Sequence, residues 1–103
     1  MTIVLDKAAG VAIRGCRAAR FSAIDTLIVD RLLTATRPVS RKELFEAAYA
    51  HRKDGGPLAY SNISARLNKI QERMRRLGVE LIRQGRSQTR RYRFVELEES
   101  DAQ

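Results

Sequence analysis

Between Ser61 and Arg93 the sequence gathers ten cations, Arg66, Lys69, Arg73, Arg75, Arg76, Arg83, Arg86, Arg90, Arg91 and Arg93, against two acids, Glu72 and Glu80. Nine of the ten are arginines, whose planar fork suits phosphate oxygens and guanine edges better than a point charge does. The chemistry open to such a stretch is recognition of a polyanion, with nucleic acid ahead of an anionic membrane surface. A solvated charged face is the bland alternative. Clustering on a helix and an adjoining hairpin weighs against it.

Other residue types offer little chemistry. His51 stands alone in a loop, without the further ligands that a metal site needs. Cys16 is the sole cysteine, which excludes an intrachain disulfide, a zinc ribbon and Cys-X-X-Cys redox chemistry. It is expected to serve as a small buried hydrophobe. No Gly-rich phosphate loop, nucleophile elbow or paired-carboxylate site is present. The expectation is a protein that is not an enzyme and uses no cofactor or metal.

Positioning the cations requires a fold, and 103 residues leave room for one domain. With 44% hydrophobic and 31% charged residues, the chain suits a globular domain, and its net charge of +8 resides in the 61–93 segment. No apolar run approaches the roughly 20 residues of a membrane span, and the first residues lack the features of an export signal. A cytoplasmic, nucleoid-associated location and no membrane partner follow as expectations.

Ile3 to Leu5, Val11 to Arg14 and Cys16 to Phe21, separated by Gly10 and Gly15, read as an antiparallel meander of short strands. Ser22 with Asp25, and Ser40 with Glu43, each place an acid three residues after a serine, which opens a helix. The first helix runs on Ile24, Leu27, Ile28, Leu32 and Leu33 to about Thr34, before Pro38. The second spans about Arg41 to Ala50, at helix-turn-helix spacing from the first. Residues 51–57 are loop.

A third helix starts near Ser61 or Asn62 and runs to Leu77. Ile63, Leu67, Ile70, Met74 and Leu77 form its buried stripe, and Gly78 its C-cap. Its opposite side presents Ser61, Ala65, Arg66, Asn68, Lys69, Glu72, Arg73 and Arg76. Val79 to Arg83 and Arg90 to Val95 read as a hairpin around residues 84–89, with Tyr92 and Phe94 on the core face and Arg91 and Arg93 on the other. Residues 96–103 form an acidic tail, expected to be disordered. The fold class is therefore α+β: short N-terminal antiparallel strands, three helices and a C-terminal β-hairpin, with the domain over 1–95.

This order resembles the winged-helix DNA-binding output domain of the OmpR/PhoB-type bacterial response regulators, expected here as a stand-alone module without a receiver domain. The resemblance rests on Phe21-Ser22-Ala23-Ile24-Asp25-Thr26-Leu27, on Leu32-Leu33 through Pro38-Val39-Ser40-Arg41-Lys42-Glu43-Leu44, on the third-helix stripe, and on Leu81-Ile82-Arg83 with Tyr92-Arg93-Phe94. The family's Gly-X-Gly-Tyr wing element is replaced by Thr89-Arg90-Arg91-Tyr92.

What the resemblance implies is a transcriptional regulator that binds double-stranded DNA sequence-specifically. The recognition helix, about 61–77, would lie in the major groove and the wing, 83–93, in the minor groove. Lys69 falls where the family reaches a base, and Arg66, Gln71 and Arg73 near phosphate positions. Asn62 matches the small polar residue at the helix start. The wing stretch Arg86 to Arg91 would cross the minor groove, and the loop 51–58 would touch RNA polymerase.

The expected DNA-binding residues are Ser61, Asn62, Ala65, Arg66, Lys69, Arg73, Arg86, Arg90 and Arg91. Ser61 and Asn62 serve equally well as helix caps, and Arg75 and Arg76 sit where cations offset a helix dipole. A homodimer or tandem binding is expected, because one small module gives limited affinity. Two other functions fit the same sequence: a winged-helix protein-interaction adaptor, and sequence-nonspecific nucleic-acid binding.

Overall fold

The computed structural model describes residues 3–50, 61–86 and 89–97. The expected polymerase loop 51–58, His51 and most of the acidic tail lie outside the described residues. Three short strands come first: β1 (Val4–Asp6), β2 (Val11–Arg14) and β3 (Arg17–Arg20). They form an antiparallel sheet in the order β1-β2-β3. The helices are α1 (Ala23–Thr34), α2 (Arg41–Tyr49) and α3 (Ser61–Arg75), and β5 (Val79–Gln84) and β6 (Arg91–Glu96) make the terminal hairpin. The architecture is α+β, a winged helix-turn-helix with an N-terminal sheet.

Both predicted capping serines act as such. Ser22 Oγ accepts the Asp25 backbone N–H at 3.2 Å, and Ser40 Oγ accepts that of Glu43 at 3.1 Å. Each satisfies an orphan donor of a first turn, worth about 1 kcal/mol. Ser40 has a second role that the sequence did not announce. With Val39 it forms the two-residue strand β4, which pairs with β6 as Val39 with Tyr92 and Ser40 with Arg91. The second sheet thus runs β4-β6-β5, with β6 in the middle. Two residues are too few for an alternating pattern to register.

The core joins one stripe from each helix to this sheet. Ile28 and Val29 of α1, Leu44 of α2, Ile63, Leu67, Ile70 and Met74 of α3, and Val39, Val79 and Tyr92 of the sheet are all fully buried. Phe94 and Tyr92 face inward as their alternation predicts. The N-terminal sheet turns its Ala12 and Ala19 pair toward this core, so two small side chains let the backbone come close.

The α3 helix ends at Arg75, earlier than Leu77. Three i to i+3 hydrogen bonds, from the amides of Arg76, Leu77 and Gly78 at 3.2, 2.9 and 3.0 Å, tighten the last turn and carry Leu77 into the core. Gly78 follows at φ +73°, the conformation expected of a C-cap glycine. Arg14 then caps the end from β2, with Nη1 donating to the carbonyls of Leu77 at 2.6 Å and Gly78 at 3.1 Å.

Two expectations are corrected. Cys16 is exposed: it lies in the β2–β3 turn, ahead of β3, so it never reaches the inward face. Glu96 belongs to the hairpin and not to a tail, being paired with Val79 in β6 and 3.5 Å from Arg14. Among the described residues no helix is long and apolar enough to cross a membrane.

Gly10 is the position where the N-terminal sheet meets α1. Its φ is +69°, and a Cβ there would lie 2.6 Å from the Phe21 carbonyl oxygen. Gly15 also has a positive φ, yet nothing lies within 4 Å of its Cβ position. Gly15→Ala should therefore cost only the left-handed penalty, about 1–2 kcal/mol. Gly10→Ala should cost more, with a fall in Tm exceeding the roughly 4–8 °C expected per kcal/mol in a domain of this size. Thermal unfolding of the two variants checks the order, and equal losses would refute the close approach.

Candidate nucleic-acid interface

The α3 helix divides its circumference into four strips. Ile63, Leu67, Ile70 and Met74 face the core. Ala65, Lys69, Glu72 and Arg76, spaced at one helical turn, are exposed and point away from it. The two strips between them are occupied by polar contacts to other elements.

On one flank Arg66 reaches inward. Its Nη1 lies 3.0 Å from Asp25 Oδ1 and its Nε donates to Tyr49 Oη at 3.2 Å. Asp25 and Tyr49 are both buried, and Phe45 packs its ring 5.0 Å from that of Tyr49. Burial opposes the charge on Arg66, but the hydrogen bonds to Asp25 and Tyr49 outweigh it and hold its pKa above the ordinary arginine value. One residue from each helix meets here. Arg66 therefore sits half-buried in a contact between helices, whereas the helical spacing places it on open surface. Further along, Arg73 Nη1 donates to the Arg20 carbonyl at 2.8 Å and ties α3 to β3.

The other flank is joined to the hairpin. Arg83 of β5 donates from Nη2 to Asn68 Oδ1 at 2.9 Å and from Nη1 to Gln71 Oε1. Arg75 makes a two-pronged contact with Glu80, at 2.9 and 2.8 Å. The Arg75 hydrogen bond holds the Glu80 carboxyl below the usual glutamate range, and Glu80 in turn raises Arg75. Arg75 thus faces a carboxylate of β5 and not only its own helix end.

The predicted site residues fall into two groups. Ala65, Arg66, Lys69 and Arg73 line one cleft of about 330 Å³, together with Ser22 and Asp25 at the start of α1. Ser61 and Asn62 open α3, and their side chains lie outside the described residues. Arg86, Arg90 and Arg91 belong to the hairpin. There Gly85 turns the chain at φ +87° and the Thr89 amide donates to the Arg86 carbonyl at 2.8 Å. Arg86 and Arg91 are exposed and Arg90 is half-buried.

Among the described residues, Lys69, Arg76, Arg86, Arg90 and Arg91 form no ion pair. Lys7, Arg14, Arg31 and Arg37 each face a carboxylate.

Two residues escaped the sequence reading. Arg41 and Lys42 occupy the first turn of α2, and β4 places that turn beside Arg91. Cations at a helix N-terminus oppose its dipole, and Glu43 in the same turn favours it. Among the described residues no group of three His, Cys, Asp or Glu could hold a metal ion. The sequence matches no protein-family model, and no curated protein is similar to it.

The Asp25 and Arg66 pair should behave as one unit. Asp25→Ala leaves the Arg66 guanidinium short of its partner and is expected to cost about 2–3 kcal/mol. That is less than the 3–5 kcal/mol of a fully buried pair, because the Arg66 side chain keeps 27% of its surface exposed. Adding Arg66→Met should cost less than its separate effect by about 1 kcal/mol or more. Strict additivity in a denaturant double-mutant cycle would show the two to be independent. Glu80, with its carboxyl depressed by Arg75, contributes stability that is present above the ordinary glutamate pKa and lost as pH falls through its own lower value. A carboxyl NMR titration should show this depression in the wild type and its reversal in Arg75→Gln.

Proposed function

We propose that this chain is a sequence-specific double-stranded DNA-binding protein, a transcriptional regulator of the OmpR/PhoB winged-helix type. In this reading α3 enters the major groove with its Ala65 to Arg76 strip foremost, and the hairpin lays Arg86, Arg90 and Arg91 along the adjacent minor groove. The observation that carries it is the set of cations without ion pairs on that strip and on the hairpin. Like charges held close in a fold repel, by about 1 kcal/mol at 4 Å even in water, and phosphates would relieve this. Arg41 and Lys42 extend the cationic surface next to Arg91.

Major-groove width admits one α-helix, and base edges there carry a readable donor and acceptor pattern. An arginine in a narrow minor groove reads its negative potential. Lys69 is assigned to base contact and Arg73, Arg86, Arg90 and Arg91 to backbone contact. Arg66 sets the seat of α3 on α1 and α2 and reaches DNA only secondarily. Tandem or dimeric binding follows from the limited reach of one module. Contact with RNA polymerase through 51–58 belongs to the same proposal.

Fluorescence anisotropy with labelled duplexes tests it. If about five phosphates are neutralised, log K should fall with log salt at a slope near −4 to −5. An almost salt-independent affinity would sink the reading. Lys69→Ala should relax sequence preference, whereas Arg90→Ala should weaken all duplexes alike and reduce the slope by about 1. Competition by an acidic protein but not by plain duplex DNA would point instead to an adaptor.

A further inference from the structure

The exposed strip of α3 contains one residue that does not fit a phosphate-binding surface. Glu72 sits between Lys69, one turn before, and Arg76, one turn after, and is exposed. Helical pairs at this spacing readily form ion pairs, yet among the described residues Glu72 forms none and accepts no hydrogen bond. Its neighbours are engaged elsewhere: Arg75 holds Glu80 at 2.8 and 2.9 Å, and Arg73 donates to the Arg20 carbonyl. The carboxylate therefore makes no direct ion pair or hydrogen bond in the strip that faces outward, and acts on Arg75 only through space.

From this we infer that Glu72 is a specificity-determining residue that accepts a hydrogen bond from the exocyclic amine of a cytosine in the major groove. The inference rests on the DNA-binding reading above. A carboxylate brought among phosphates is repelled unless it finds a donor, and major-groove base edges provide two, the amines of cytosine and adenine. The adenine amine is flanked by two acceptors, its own N7 and thymine O4, whose lone pairs face a carboxylate unfavourably, whereas the cytosine amine has one, guanine O6, with C5–H on its other side. Lys69 lies three residues earlier, about 4.5 Å along the axis at 1.5 Å per residue. That is close to one base-pair step of about 3.4 Å. Lys69 donating to guanine O6 and N7 and Glu72 accepting from cytosine N4 therefore address neighbouring base pairs. Ala65, on the same strip, has room only for a small apolar contact such as a thymine methyl.

The target half-site is thus expected to contain a guanine and, at an adjacent pair, a cytosine preferred about tenfold or more over other bases. Selection of bound duplexes from a random pool, run on wild type, Glu72→Gln and Glu72→Ala, tests this. Far-UV circular dichroism and Tm serve as the check on folding. A glutamine amide offers the acceptor and donor pair that matches adenine N6 and N7. Glu72→Gln should therefore move the preference at that one position from cytosine to adenine, and leave the other positions unchanged. Glu72→Ala should abolish the preference there and tighten binding to unrelated duplexes. If both variants tighten every duplex alike and keep the wild-type base preferences, Glu72 is a bystander charge and the inference is overturned while DNA binding stands. If the wild type itself enriches no sequence, the sequence-specific reading falls and takes this inference with it.

Discussion

The orientation of α3 is the constraint on which the rest of this structure depends. Four fully buried side chains, Ile63, Leu67, Ile70 and Met74, fix which way the helix faces. Burying each stabilises by roughly 1.5–3 kcal/mol, far more than any surface contact contributes. Hydrophobic burial is non-directional, however, and tolerates a few degrees of rotation or slip along the axis. The polar contacts on the flanks are directional, and they remove that freedom. Arg66 locks to Asp25 and Tyr49 on one side, and Asn68, Gln71 and Arg75 meet Arg83 and Glu80 on the other.

These contacts also decide which cations remain available. A guanidinium that holds a neighbouring helix or strand is committed, as with Arg66, Arg75 and Arg83. Among the described residues, what is left over includes Lys69 and Arg76 on the α3 strip and the hairpin arginines, and also Arg17, Arg20, Arg41 and Lys42. In the proposed reading, the surface offered to DNA consists of side chains that the fold did not need for itself. Asp25 buried beneath Arg66 costs desolvation that hydrogen bonding offsets, and its return is the fixed position of the helix more than raw stability.

The central strand β6 couples the two halves of this surface. Through β4 it joins the start of α2, and through β5 it joins the flank of α3. The hairpin and the helix-turn-helix are therefore parts of one hydrogen-bonded unit. Arg14 adds the third connection: it ties the N-terminal sheet to the carboxyl end of α3 and to Glu96. A segment that sequence spacing presents as an appended meander thus serves as the end-stop of the helix that carries the cations.

Much of this was legible in the residues themselves, because it depends on local pattern. The serines at 22 and 40 marked helix starts through groups three residues away, the 63–77 stripe declared its own buried face, and Tyr92 and Phe94 alternated inward. Contacts made across long stretches of chain left no such trace. The partnership of Arg66 with Asp25 spans 41 residues, and that of Arg14 with Gly78 spans 64. The two-residue strand β4 gains its identity only from β6, and Cys16 is exposed because its turn ends before the inward face begins. Periodicity places a residue on a side of a helix or strand within a turn of its neighbours. Which arginine is consumed by the protein and which is left for a partner is decided by what the folded chain brings opposite it, since a guanidinium exposed by spacing alone is buried or freed by elements distant in sequence.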